Sequence, residues 1–354
     1  MAAVMWRPPS FACDRRREEV LRIGILTGGG DAPGLNAAIR AVTRRALVAG
    51  DAVVGVRNGW SGLLGTGDLQ DMGRSEVAGI LQLGGTVLGT SSRDDPLQVD
   101  SGLEQVTENF RRARLDALVA IGGDGTLSIA DRFVEIGMPV IGIPKTIDND
   151  LSATDYCIGF DSAVARVAEA LDRLHTTAAA HHRVMVVEVM GRDTGWLATV
   201  GGLAGGADMV IIPEFSVPFE EIVRHLRVRR EGGSDFSIVV VSEGADPEGL
   251  AIGKDMADVT DRFGRAHLSS RGLGERLADL IESRTGVETR TTVLGHTQRG
   301  GPPSSYDRIW ATRLGIAAYD MAVQGKFGAV AVLSGGKVTD APFAEVSHKS
   351  HVPR

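Results

Sequence analysis

Cysteine is nearly absent: Cys13 and Cys157 are the only two in 354 residues. That excludes a disulfide framework and fits a reducing, cytoplasmic setting. Long apolar runs are missing too. None approaches the roughly 18 uncharged apolar residues of a membrane helix. Nor is there an excess of positive charge, since 38 Lys and Arg face 45 Asp and Glu for a net charge of −7. Without a general basic field the chain is not expected to bind nucleic acid, and any anionic ligand must be held by local arginines and backbone N–H groups. Lysine is especially scarce: five (Lys145, Lys254, Lys326, Lys337 and Lys349) stand beside 33 arginines, a bias that reflects genomic composition. No fixed-period repeat is visible, which excludes solenoids and propellers. The first twenty residues lack the apolar core of a signal peptide. They read as a flexible extension, or else as an arm that binds a partner.

Apolar residues make up 43% of the chain, enough for a large core, and the length suits two domains or one large α/β unit. Glycine is abundant, with 46 residues against an average of about 7%. These glycines fall at strand ends, where they suggest turns that cradle a ligand. Short apolar runs predict strands at 23–26, 52–56, 117–121, 140–143, 184–189, 209–212, 238–241 and 291–294. Between them, helices are expected at 35–48, 77–83, 102–113, 127–136, 164–175, 219–229, 270–285 and 306–324. This alternation predicts an α/β fold with a mostly parallel sheet, and the lack of polar alternation implies strands buried on both faces. The polar segment 244–265 reads as an insertion or mobile loop. A domain boundary near residue 160 is expected, because the series of strands and motifs restarts at His181.

In an open parallel sheet, ligands bind beyond the carboxyl ends of strands. After the first strand comes TGGGDAPGLNAAIR (27–40), whose glycines allow close approach to a phosphate at a helix N-terminus. It lacks the Gly-Lys-Ser/Thr of a Walker loop and the spacing of a dinucleotide fingerprint. A tight turn without a ligand is the plainer alternative. Next is GGDGT (122–126), where Asp124 offers the single carboxylate that suits Mg²⁺ beside phosphate, or alternatively caps a helix. PKTIDND (144–150) places Asp148 and Asp150 on one side of an extended segment. One acid can take a hydroxyl proton while the other attends a metal. MGRDTGW (190–196), the pair Ser242-Glu243, and ETRTTVLGHTQRGG (288–301) follow later strands. The last gathers Arg290, His296 and Arg299, which suits a phosphorylated small molecule. Two phosphate regions with paired carboxylates between them describe phosphoryl transfer to a hydroxyl on a phosphorylated acceptor.

GGGDAPGLNAAIR, GGDGT, PKTIDND, HRVMVVEVMGR and TVLGHTQRGG, in that order, resemble the 6-phosphofructokinase family from about Arg22 to Lys326. The resemblance implies two similar Rossmann-like three-layer α/β/α domains with mostly parallel sheets. One would be a nucleotide- and Mg²⁺-binding domain at 21–158 with about 300–345, and the other a fructose 6-phosphate domain at 159–299. It further implies Mg²⁺-dependent phosphorylation of fructose 6-phosphate at its 1-hydroxyl, a glycolytic step, in a cytoplasmic homotetramer or at least a homodimer. By the same resemblance, Gly30, Gly123, Gly125 and Thr126 would line the nucleotide site with Arg93 and Asp94, and Asp124 would hold Mg²⁺. Asp148 would be the general base, Asp150 would support the metal, and Thr146 would touch the transferring phosphoryl group. Met190, Gly191, Arg192 and Glu243 would shape the sugar pocket, with Arg192 also counted as catalytic. His296 and Arg299 would bind the acceptor phosphate, joined by Arg183 and Arg290 from a neighbouring subunit.

Three departures matter. LGTSSR is one residue longer than the family's pattern before its catalytic arginine, so Arg93 either reaches the site through a shifted loop or has a weakened role. Gly125 resembles ATP users, whereas Lys145 resembles pyrophosphate users, as in a subgroup with members of both kinds. A carboxylate at 125 would occupy the space of the ATP α-phosphate and Lys145 can serve either donor, so ATP is expected, with pyrophosphate as the alternative. Arg40 and Arg44 match only part of the family's basic effector site, so allosteric control is expected to be reduced or absent. A non-catalytic sugar-phosphate sensor, or a NAD or lipid kinase built on GGDGT, would leave the paired acids or the arginine cluster without a role.

Overall fold

Apolar runs without alternation become strands that are covered on both faces, and here they form two sheets. The structure, a computed structural model, describes residues 20–91, 95–248 and 272–353. In the larger sheet β1 (Arg22–Thr27), β2 (Ala52–Val56), β4 (Ala117–Gly122), β5 (Val140–Pro144) and β10 (Ala329–Ser334) are parallel. Antiparallel β3 (Leu69–Asp71) and β11 (Lys337–Pro342) close its edges, and the order is β11-β10-β5-β4-β1-β2-β3. The smaller sheet, all parallel, has the order β7-β8-β6-β9, from β6 (Val184–Val189), β7 (Met209–Ile211), β8 (Ser237–Ser242) and β9 (Thr289–Val293).

Successive side chains of each strand feed opposite cores. Ile23 and Ile25 pack with α1 (Leu35–Ala49) and α8 (Ser305–Gln324), while Leu26, Leu118 and Ala120 pack with α2 (Gly102–Arg112) and α3 (Asp124–Glu135). Met185, Val187 and Val189 likewise meet α4 (Phe160–His181) and α5 (Trp196–Ala204). Val184 and Val186 meet α6 (Phe219–Glu231) and α7 (Leu273–Thr285). At roughly 1.5–3 kcal/mol for each large aliphatic side chain buried, both faces must be apolar, hence the unbroken runs.

All eight expected strands form, although the last begins earlier, at Thr289. The helix expected at 77–83 does not. Separate turns replace it, closed by Ala78 N–H to Ser75 O (3.2 Å) and Leu83 N–H to Ile80 O (3.1 Å). Gly79 and Gly85 take φ of 69° and 64°, which breaks helical continuity, and Val77 and Ile80 still bury as single anchors. The hairpin of β10 and β11, turned through Gly335 and Gly336 at φ 56° and 75°, was not expected, nor was α5. Most of the expected loop at 244–265 lies outside the described residues.

Between the sheets, a fully buried Asp307 at the start of α8 clamps residues 156–162. It accepts from Gly159 N–H (2.6 Å) and Ser162 N–H (2.9 Å), and also from the Ser162 and Tyr156 hydroxyls. Asp307→Ala strands these donors in the core. It is expected to cost on the order of 3 kcal/mol or more, read as a lowered melting temperature.

Strand order also locates the openings. In the larger sheet β1 lies between β2 and β4, and in the smaller sheet β6 lies between β8 and β9. Connections therefore diverge after β1 and β4, and after β6 and β9, leaving a crevice at the carboxyl ends of each pair.

Candidate active site

The two crevices face one another. Arg299, from the 3₁₀ turn after β9 (Gly295–Arg299), donates Nη1 to the backbone oxygen of Asp31 in the loop after β1 (3.1 Å). A Cβ on exposed Gly30 would lie 2.8 Å from the same Nη1, so this glycine permits the approach.

Beneath the β1 loop sits Thr126, buried; a Cβ on Gly28 or Gly122 would come within 2.5 and 2.3 Å of it. The loop is also held by Lys145, whose buried Nζ donates to Gly28 O (3.1 Å) and to Gly30 O. Burial, with the nearby Arg299 guanidinium, pushes the Lys145 ammonium down to about 7. Thr126 and Lys145 thus lie beneath the glycine loop. Asp124 is the first residue of α3, not its cap, which is Gly123; its Oδ1 accepts from Ser128 Oγ (3.3 Å). Gly125 is exposed, and a Cβ there would meet nothing within 4 Å.

The segment after β5 is not extended, contrary to expectation. Asn149 adopts φ 50°, a left-handed conformation that asparagine tolerates, and its Oδ1 accepts from Cys157 N–H (2.8 Å). Asp148 N–H donates to Thr146 Oγ1 (3.1 Å), which closes a tight turn over residues 146–148, just before the left-handed Asn149 that separates the two acids. Asp148 Oδ1 is enclosed and has no hydrogen-bond partner. Burial, then repulsion from Asp150 and Glu243, raises this carboxyl to about 6 against the pull of Arg299 and Lys349.

On the opposing side, Gly191 takes φ 138°, and its oxygen accepts from Ser242 Oγ (2.6 Å) and Gly244 N–H (3.0 Å). This brings Met190, Gly191 and Arg192 beside Glu243. Burial raises the Glu243 carboxyl, opposed by Gly191 N–H and by Arg192, Arg299 and His296, so these groups form one cluster. His296 is exposed at the rim. Gln298, fully buried and unforeseen, accepts from Met190 N–H (3.3 Å) and donates to Gly295 O (3.0 Å), fastening the two loops together.

Arg183 and Arg290 do not join this cluster within the chain. They share Glu288, with Arg183 Nη2 at 2.7 Å, at the amino ends of β6 and β9 rather than the carboxyl ends. Arg93 and Asp94 lie outside the described residues.

Lys349 was not anticipated, and only the scarcity of lysine could have drawn attention to it. Its Nζ lies 2.5 Å from Asp150 Oδ2, 3.5 Å from Asp193 Oδ2 and 3.9 Å from Asp124 Oδ2. One cation thus reaches Asp124 and Asp150 together, and these hard oxygen donors fit Mg²⁺. Among the described residues no three acidic, histidine or cysteine side chains make a metal site alone. Mg²⁺ commonly takes one or two carboxylates and completes its shell with phosphate oxygens and water. Chemically, the arrangement offers a proton acceptor, a cation position and glycine backbone on one side, with arginine, histidine and glutamate on the other.

A family model described as phosphofructokinase matches residues 22–322. The chain is 48% identical over 329 residues to a pyrophosphate–fructose 6-phosphate 1-phosphotransferase of Amycolatopsis mediterranei, covering 92% of this chain and 94% of the relative. It is 46% identical over 331 residues to an ATP-dependent 6-phosphofructokinase of Chloroflexus aurantiacus, covering 92% and 90%. Among solved structures, T-state phosphofructokinase of Pichia pastoris superposes with a TM-score of 0.82 at 33% identity. That match takes in 94% of this chain but only 36% of the Pichia chain. A pyrophosphate-dependent phosphofructokinase of Marinobacter aquaeolei shares the fold, with a TM-score of 0.81 at 24% identity over 94% of this chain and 86% of its own. With a match running from β1 into α8, and paired acids facing an arginine cluster across two crevices, the chain belongs to the phosphofructokinase family.

Proposed function

We propose that the chain transfers a phosphoryl group from a Mg²⁺-bound donor to the 1-hydroxyl of fructose 6-phosphate, with Asp148 as general base. The observation that carries this reading is the enclosed, unpartnered Asp148 Oδ1 where the two crevices meet. The carboxylate takes the hydroxyl proton as that oxygen bonds to phosphorus and the donor's bridging oxygen leaves with its electron pair. Asp124 and Asp150 would hold Mg²⁺, which when bound neutralises donor phosphate charge. Residues 21–158 and about 300–345 serve the donor, and 159–299 the acceptor. Gly30, Gly123 and Gly125 give the donor backbone to lie on, over Thr126. Thr146 and Arg192 face the reacting group, while Met190, Gly191 and Glu243 orient the sugar and His296 and Arg299 take its phosphate.

ATP is the donor we favour, because the space over Gly125 is open for its α-phosphate. Pyrophosphate is the second reading, favoured by Lys145 beneath the loop and by the names of several relatives. Fructose 1,6-bisphosphate formation with ATP and pyrophosphate in parallel tests both; no product with either donor refutes the reaction.

Arg183 and Arg290 complete the acceptor site of a neighbouring subunit in this reading. Arg290→Ala should then raise KM for fructose 6-phosphate by about 10–100-fold. Dissociating and reassociating Arg290→Ala with Asp148→Asn subunits should restore activity above the sum of the two, since some hybrid sites are intact. Mixtures that never exceed that sum would rule out a shared site.

A further inference from the structure

We propose that Lys349 is the resident cation of the metal position: its ammonium holds Asp124 and Asp150 in the donor-free enzyme, so that divalent metal enters efficiently only with the donor's phosphates. The proposal rests on the phosphoryl-transfer reading above. Lys349 is placed by its backbone and not by chance. On its two sides, Ser152 N–H donates to His348 O (3.0 Å) and Ser350 N–H to Asp150 O (2.8 Å). Trp196 Nε1 donates to Ser350 O (2.9 Å), and Val352 N–H to Glu214 Oε1 (3.0 Å). The segment is therefore fastened to the loop after β5 of the larger sheet and to the start of α5, which packs on the smaller sheet. From that fixed backbone, a four-carbon stem delivers the ammonium among Asp124, Asp150 and Asp193.

Ammonium and metal cannot both use this position. Mg²⁺ requires oxygen at about 2.0–2.1 Å, and Nζ already stands 2.5 Å from Asp150 Oδ2. A free metal ion must expel a tethered charge and leave it among no new anions. A metal–polyphosphate complex brings its own anion, and the displaced ammonium turns to the phosphate oxygens by rotation of its stem alone. Lys349 so couples metal entry to donor entry.

Mn²⁺ binding to the donor-free protein, followed by electron paramagnetic resonance, tests this. Lys349→Met, which keeps the stem and removes the charge, should bind Mn²⁺ about tenfold more tightly than wild type. Adding Asp150→Asn should abolish that gain. Equal or weaker binding by Lys349→Met overturns the inference. A second reading uses the wild-type protein, so it stands even if the variant misfolds. Acylation of Lys349, read by peptide mass among five lysines, should be slow without metal and faster at saturating Mn²⁺. Unchanged labelling overturns the proposal. Turnover of fructose 6-phosphate is measured on the same wild-type preparation. Its absence with both donors defeats the phosphoryl-transfer reading, whereas turnover with unaltered Mn²⁺ affinity defeats only the role of Lys349.

Discussion

Asp148→Asn is expected to lower kcat by about 10²–10⁴-fold and to leave KM for fructose 6-phosphate within a few-fold. The amide keeps the shape and the turn through Thr146, since that bond uses the backbone N–H, but it cannot accept a proton. The pH profile supplies a second readout. Burial and the neighbouring Asp150 and Glu243 hold the carboxyl near 6, above its ordinary 3.8, so the base is lost by protonation as pH falls through about 6. An ordinary carboxylate would put that limb near 4. The sign for stability is opposite to that of a salt-bridged acid. With the folded value above the unfolded one, ionised Asp148 destabilises the fold at pH above about 6, and the effect vanishes below about 4. Asp148→Asn should therefore melt higher than wild type at pH 7.5 and together with it at pH 4. A kcat within a few-fold of wild type would remove Asp148 from the chemistry.

Gly125→Asp is expected to reduce ATP use by about 10³-fold or more, since like charges brought together without solvent cost several kcal/mol. The variant should fold normally: a Cβ at 125 meets nothing within 4 Å, and a carboxylate in the first turn of α3 favours the helix dipole. The new side chain projects into the open space assigned to the α-phosphate. Pyrophosphate has no third phosphate to exclude, so any activity with it should survive. Steady-state kinetics with both donors and a thermal melt separate these effects. Unchanged ATP kinetics in a well-folded variant would defeat the steric argument and return the donor question to Lys145.

Much of the site was readable because its chemistry is written in short, contiguous stretches. Gly122 ends a buried strand, and Gly28, Asp124, Asp148 and Asp150 come within a few residues after one; a strand end is where a parallel sheet exposes what comes next. The helix at 77–83 misled because Val77 and Ile80 have helical spacing, while the glycines that break the backbone there leave no mark on hydrophobic periodicity. The turn at Asn149 was hidden for a related reason. A left-handed residue is selected by the Cys157 N–H that its side chain caps, eight positions away.

By itself, the sequence determined the α/β alternation, the doubly buried strands, and the residue types that suit phosphate, metal and proton transfer. All of these depend on neighbours a few positions apart. Tertiary structure alone decided that Lys145 lies beneath the glycine loop, that Gln298 fastens the Met190 loop, and that Arg183 and Arg290 sit at the far end of β6 and β9. It alone brought Lys349 across 199 positions to Asp150. Charge and close packing act through space, and a one-dimensional pattern does not record which distant carboxylates will share a cation.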